Sequence, residues 1–66
     1  MRLTINGTAR DVAGEPDVAT LVTQLTGERR GVAVAVNGAV VPRSTWASVR
    51  LRDGDRVEVL SAAQGG

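Results

Sequence analysis

The sequence predicts an α+β fold, a mixed β-sheet with one main helix packed on one face. Three observations carry that prediction: two Asn-Gly pairs set between strand-like runs, one amphipathic helical stretch between those hairpins, and a closing run in which apolar and charged residues alternate. An Asn-Gly pair flanked by such runs is the strongest short-range hairpin signal, because both central residues of the tight turn need positive φ.

The elements follow in order. "RLTIN" alternates, with Leu3 and Ile5 on one face and Arg2 and Thr4 on the other, the period of a half-buried strand. Asn6-Gly7 turns it into "TARDV", the second strand. "AGEPD" is a loop that delivers Asp17 as a helix N-cap, whose carboxylate accepts from free amides of the first turn. Val18, Leu21, Val22 and Leu25 then form one apolar stripe over two turns. Gly27 ends the helix as a left-handed cap. "VAVAVN" is apolar on both faces and reads as a central strand. Asn37-Gly38 turns it into "AVV", which Pro42 stops. "RSTWAS" reads as one helical turn capped by Ser44, and "DGDR" as a tight turn. "RVEVL" is the last strand, with Val57 and Val59 inward and Arg56 and Glu58 outward. Laying the first hairpin beside the last strand closes the core without long apolar edges. The resulting ββαββ order is the β-grasp, or ubiquitin-like, architecture.

Composition narrows the function. Sixty-six residues make one domain, which buries only about 60% of its unfolded surface. The apolar share of 42% is too high for a disordered chain, and no apolar run approaches the ~18 residues of a membrane span. "MRLTING" is too short and polar for a signal peptide, so the expected compartment is the cytoplasm. There is no Cys, His, Lys or Tyr. General acid–base work would fall on seven carboxylates alone, and no thiol is present as nucleophile or metal ligand. That inventory argues against an enzyme with its own catalytic residues. The eight cations are all Arg, interspersed with acids at a net charge of +1, which is no footprint for nucleic acid.

The last five letters, "AAQGG", lie just past the final strand. The organisation is therefore a β-grasp domain over residues 1–62 and a flexible Gly-Gly tail over 63–66. At average glycine usage of about 7%, a chance Gly-Gly ending occurs in roughly one chain in 200. A carboxylate after two glycines has no side chains beside it and threads through a narrow channel into another protein's active site. ATP activates such a carboxylate as an acyl adenylate, and a sulfur donor displaces AMP to leave a thiocarboxylate.

From end to end the chain resembles the sulfur carrier family of thiamine biosynthesis, the ThiS family. The resemblance rests on "VAVNGAVVPRSTW", "LRDGDRVEVL" and Gly65-Gly66; the set of Asn37-Gly38, Pro42-Arg43, Trp46 and Asp53-Gly54-Asp55 at this spacing is its specific part. The resemblance implies that Gly66 is adenylated and becomes the thiocarboxylate, with Gly65 as its flexible neighbour. It implies a ubiquitin-activating-like adenylyltransferase, a sulfur donor supplied through a cysteine desulfurase, and thiazole synthase as partners. It also implies a monomer when free and no bound cofactor, ATP being consumed by the activating partner. The alternatives are the small subunit of a molybdopterin synthase or another thiocarboxylate carrier, a ubiquitin-like modifier, and a passive binding module.

Four features have two readings each. Asp53 and Asp55 form either a turn that accepts local backbone bonds or a cation site, and cation sites need about six oxygens or more; no metal is expected. Trp46 either closes the small core or meets a partner. Arg43 either meets a partner's acids or is solvated. Leu60 and Ala62, on the face opposite Val57 and Val59, are either partly covered by the neighbouring strand or form an apolar landing patch beside the tail.

Overall fold

A computed structural model describes residues 1–27 and 30–61. Its elements are β1 (Arg2–Ile5), β2 (Thr8–Asp11), α1 (Val18–Thr26), β3 (Val32–Val36), β4 (Ala39–Val41), a 3₁₀ helix (Arg43–Ser48) and β5 (Arg56–Ser61). The strands form one sheet in the order β2-β1-β5-β3-β4. β1 and β5 run parallel, and the other neighbouring pairs are antiparallel. The sheet is therefore mixed, with the first hairpin beside the last strand, as the sequence predicts.

Both hairpins turn where the Asn-Gly pairs stand. Asn6 and Asn37 sit at φ 50 and 51, and Gly7 and Gly38 at φ 83 and 84. Positive φ at both central positions suits the right-handed twist of the flanking strands. The helix also begins and ends at its predicted residues. Asp17 Oδ1 accepts from the Thr20 amide at 2.7 Å, and Gly27, at φ 69, donates its N–H to the Thr23 carbonyl at 3.0 Å.

One face of the sheet carries the core. Leu3 and Ile5 of β1, Val32 and Val34 of β3, and Val57 and Val59 of β5 cluster with Val18, Ala19, Leu21 and Val22 of α1. Trp46 and Leu51, from the segment that crosses from β4 to β5, complete this cluster. Fully burying a Val or Leu side chain contributes about 1.5–3 kcal/mol. That packing sustains a nine-residue helix, shorter than the ~12–15 residues at which even good helix formers are marginal alone.

β3 is an interior strand, as its apolar pattern predicts: it pairs with β5 along one edge and with β4 along the other. Its alanines face the open side, Ala33 exposed and Ala35 half-buried, because α1 covers only one face and alanine tolerates water on the other. β5 holds the middle place in the order. One expectation needs correcting: the turn after Pro42 is not capped by Ser44. Pro42 occupies the cap position with no side-chain cap bond, and both the amide and the hydroxyl of Thr45 donate to the Pro42 carbonyl, each at 2.9 Å. Proline fixes φ near the value a first turn needs, so a carbonyl acceptor there replaces the expected hydroxyl.

Candidate functional site

The candidate site is built outward from the end of β5. Gly65, Gly66 and Ala62 lie outside the described residues, as does the whole predicted tail over 63–66. The approach to them is described as far as Ser61. Leu60 is 68% exposed on the outer face of the sheet, opposite the buried Val57 and Val59. It stands across from Ala33 on β3. Two residues further along β3, Ala35 stands across from Val40 on β4, and Val40 is 76% exposed. Leu60, Ala33, Ala35 and Val40 therefore share the open face, with the exposed Glu58 of β5 opposite Ala35. The neighbouring strand covers little of Leu60, which favours the landing-patch reading over partial burial. Val40 was not singled out by its pattern in "AVV", because only the β3–β4 register brings it to the same face as Leu60.

The other singled-out residues separate into scaffold and surface. Trp46 is 2% exposed, and its Nε1 donates to the Val41 carbonyl at 2.9 Å. The indole belongs to the core, which corrects its inclusion among partner contacts: almost none of the ring is accessible. A buried Trp contributes a large apolar area while its indole N–H finds one acceptor. Arg43 is exposed, with its guanidinium 5.8 Å from the centre of the Trp46 ring. It covers the only aromatic side chain of the protein in a cation–π contact.

Three carboxylate oxygens of the Asp53-Gly54-Asp55 turn are engaged within the fold. Asp53 Oδ1 accepts from the Arg2 amide at 2.6 Å. Asp55 Oδ2 accepts from the Arg52 amide at 2.8 Å, and its Oδ1 accepts from Asn37 Nδ2 at 3.0 Å. Gly54, at φ 91, donates to the Arg2 carbonyl at 2.8 Å. These bonds tie the turn to β1 and to the second hairpin, and they favour the turn reading over the cation reading. Among the described residues no group of three or more His, Cys, Asp or Glu side chains is placed to hold a metal ion. Nor is any described helix long and apolar enough to cross a membrane.

Sequence reasoning assigned the two asparagines to their turns and missed their second role. Asn6 Oδ1 accepts from the Val59 amide at 2.8 Å, and its Nδ2 donates to the Val59 carbonyl at 3.1 Å. Asn37 Oδ1 accepts from the Arg56 amide at 3.0 Å. Each turn thus reaches across to β5, one near its start and one near its end. A hydrogen-bonding side chain at both turns, where glycine alone would serve, was the available signal. Beside Asn6 an open groove of about 560 Å³ runs between the end of α1 and the first hairpin, with Ile5, Leu25 and Val59 on its apolar side and Arg10 and Ser61 at its polar edge.

Comparison with known proteins covers the chain nearly end to end. Residues 3–66 match the ThiS family. The chain is 33% identical to the sulfur carrier protein ThiS of Escherichia coli K12 over 66 residues, 100% of both chains. It is 38% identical over 66 residues to a thiazole synthase of Paramagnetospirillum magneticum, and there it spans only 20% of the relative's length. Its fold matches the crystal structure of the thiamine biosynthesis protein ThiS from Geobacter metallireducens with a TM-score of 0.84. The identity is 34%, covering 92% of this chain and 93% of that one. The solution structure from the same organism matches with a TM-score of 0.78, covering 91% of this chain and 81% of that one.

Proposed function

The chain belongs to the ThiS family of thiamine-biosynthesis sulfur carriers, and we propose that it carries sulfur as a thiocarboxylate on Gly66. It acts as a protein co-substrate, and the chemistry is supplied by its partners. In the first step an oxygen of the Gly66 α-carboxylate attacks the α-phosphorus of ATP on a ubiquitin-activating-like adenylyltransferase, and pyrophosphate leaves. A cysteine desulfurase supplies sulfur as a persulfide, from which a thiol reductant releases hydrosulfide; the hydrosulfide attacks the acyl carbon, AMP leaves with the bonding pair, and the thioacid gives up its proton. The product is an anionic thiocarboxylate, which thiazole synthase consumes. Gly65 has no side chain to obstruct the channel through which the terminus must pass. We place these steps in the cytoplasm.

The observation that carries this reading is the extent of the family match: it runs through residue 66, so Gly65-Gly66 falls inside the shared pattern. Two further observations support the partners. A thiazole synthase contains a region similar to this whole chain, which favours thiazole synthase over molybdopterin synthase as the acceptor. The row of Leu60, Ala33, Ala35 and Val40 offers an apolar surface next to the exit of β5, where an activating partner must close over the tail. Ala62, two residues beyond Leu60 in sequence, and the exposed Arg43 are proposed as further partner contacts.

The test is intact-mass analysis after incubation with ATP, the adenylyltransferase and a sulfide source. The wild type gains the mass of one oxygen replaced by sulfur, located on Gly66 by fragmentation. Deleting Gly66 draws the carboxylate back by up to about 3.5 Å, more than a near-attack geometry tolerates. That deletion, an appended residue, and Gly65→Val each abolish the gain while folding is unchanged. A variant with a C-terminal tag that still acquires the shift and still supports thiazole formation overturns the proposal.

A further inference from the structure

β5 is held differently along its two edges. Toward β3 its register continues to Ser61, which lies opposite Val32. Toward β1 the parallel register stops at Val57, opposite Ile5, because the chain turns away at Asn6-Gly7. Past that point a single side chain takes over. The Asn6 backbone amide donates to the Val57 carbonyl at 2.9 Å. Its side-chain Oδ1 accepts from the Val59 amide at 2.8 Å, and its Nδ2 donates to the Val59 carbonyl at 3.1 Å. A carboxamide has the same donor and acceptor as a peptide unit. Asn6 thus carries the β1–β5 ladder one pair beyond the end of β1, to within two residues of Ser61.

The geometry points to Asn6 as a positioning residue whose side-chain amide sets the direction in which the chain leaves β5, at the surface that meets the adenylating partner. Its position explains why one amide suffices. Val59 is the last described residue of β5 to which the first hairpin hydrogen-bonds, so a lever fixed there governs Leu60 and Ser61. Leu60 belongs to the apolar row on the outer face, and Ser61 edges the groove on the other. Fixing Val59 therefore orients the partner-facing surface and the exit of the tail together. A carrier whose exit is already oriented loses less freedom when a partner closes on it, which lowers the concentration needed for half-maximal turnover. The last clause rests on the sulfur-carrier reading; the clamp on β5 does not.

The molecule contains its own control. Asn37 has the same turn chemistry, at φ 51, and grips the opposite end of β5 through the Arg56 amide and the Asp55 carboxylate. Glycine adopts positive φ without strain, so Asn6→Gly and Asn37→Gly each preserve a turn and remove one amide. In the full chain, amide hydrogen exchange at Val59 is about tenfold faster in Asn6→Gly than in Asn37→Gly at matched global stability, the scale of one or two lost hydrogen bonds. Nitrogen-15 order parameters fall at Leu60 and Ser61 in Asn6→Gly alone. With the adenylyltransferase and ATP, its KM for the carrier rises about tenfold while kcat holds, and Asn37→Gly moves neither. Asn6→Asp keeps the acceptor for Val59 and recovers part of the exchange protection, which also secures the test should the glycine variant fold poorly.

Equal exchange and equal order parameters in the two glycine variants overturn the clamp. Loosened Leu60 and Ser61 with an unchanged KM overturn the positioning role. If the wild type is never adenylated, the sulfur-carrier reading fails separately, and exchange and order parameters still decide the clamp.

Discussion

Trp46 gives the sharpest test of how this small domain stands up. The ring is 2% exposed, and its Nε1 donates to the Val41 carbonyl at 2.9 Å. A domain of 66 residues has roughly 3–10 kcal/mol of total stability at ~0.05–0.15 kcal/mol per residue. Removing a buried Trp to Ala typically costs about 3–5 kcal/mol, so Trp46→Ala is expected to be largely unfolded at room temperature or just above it. Trp46→Phe separates the two contributions of the indole. It loses the hydrogen bond, which costs about 1 kcal/mol for a bond that is only partly buried. It also loses the second ring, about another 1 kcal/mol of apolar burial. At ~4–8 °C per kcal/mol for a small domain, the melting temperature drops by about 8–16 °C. The assay is urea and thermal unfolding followed by far-ultraviolet circular dichroism, since Trp46 is the only fluorescent residue. The m-value is expected to stay constant, as the same surface is exposed on unfolding. Binding to the adenylyltransferase, measured by calorimetry where both proteins are folded, is expected to stay within a factor of about two. The reverse pattern, full stability with lost binding, would mean that Trp46 is a partner contact after all.

Four further outcomes follow from the same structure. Asp17→Ala removes the acceptor for the Thr20 amide and costs about 1 kcal/mol of unfolding free energy, while Asp17→Ser retains most of it; loading per folded molecule is unchanged, and a collapse of loading at constant melting temperature would refute the capping role. Leu60→Asp leaves stability within about 0.5 kcal/mol, because the side chain is 68% exposed. It weakens the complex with the activating enzyme by about tenfold or more, since a carboxylate must be desolvated there; unchanged calorimetric affinity removes Leu60 from the interface. Asp55→Ala strips an acceptor from both the Arg52 amide and Asn37 Nδ2 and destabilises the domain by about 1–2 kcal/mol. Millimolar calcium does not raise the melting temperature of the wild type, and a clear rise would revive the cation reading of this turn.

The elements of this protein were legible because each has a local physical cause. Asn-Gly pairs demand positive φ wherever they stand, Asp17 caps with a bond three residues long, and Gly27 adopts a conformation other residues avoid. Alternation in "RLTI" and "RVEV" likewise sorts Leu3, Ile5, Val57 and Val59 to one face whatever the rest of the chain does. Even the family was readable, because its pattern is a set of such local devices at fixed spacing, ending in Gly65-Gly66.

What the linear order left open are properties shared by residues far apart in the chain. The pattern of β3 marked an interior strand, but that β5 would lie along its edge away from β4 was open, since sheet order depends on which edges find partners and not on how apolar a face is. Val40 and Leu60 joined one surface through Ala33 and Ala35 only when register set them on the same side. Trp46 joined the core because the crossing between β4 and β5 packs against α1 and brings the ring into the same buried cluster. The second task of Asn6 was invisible for the same reason: its amide meets Val59 across 53 positions of sequence. Local propensity is set by each residue and its near neighbours, whereas edge pairing, register and long-range side-chain bonds exist only after the chain has closed on itself.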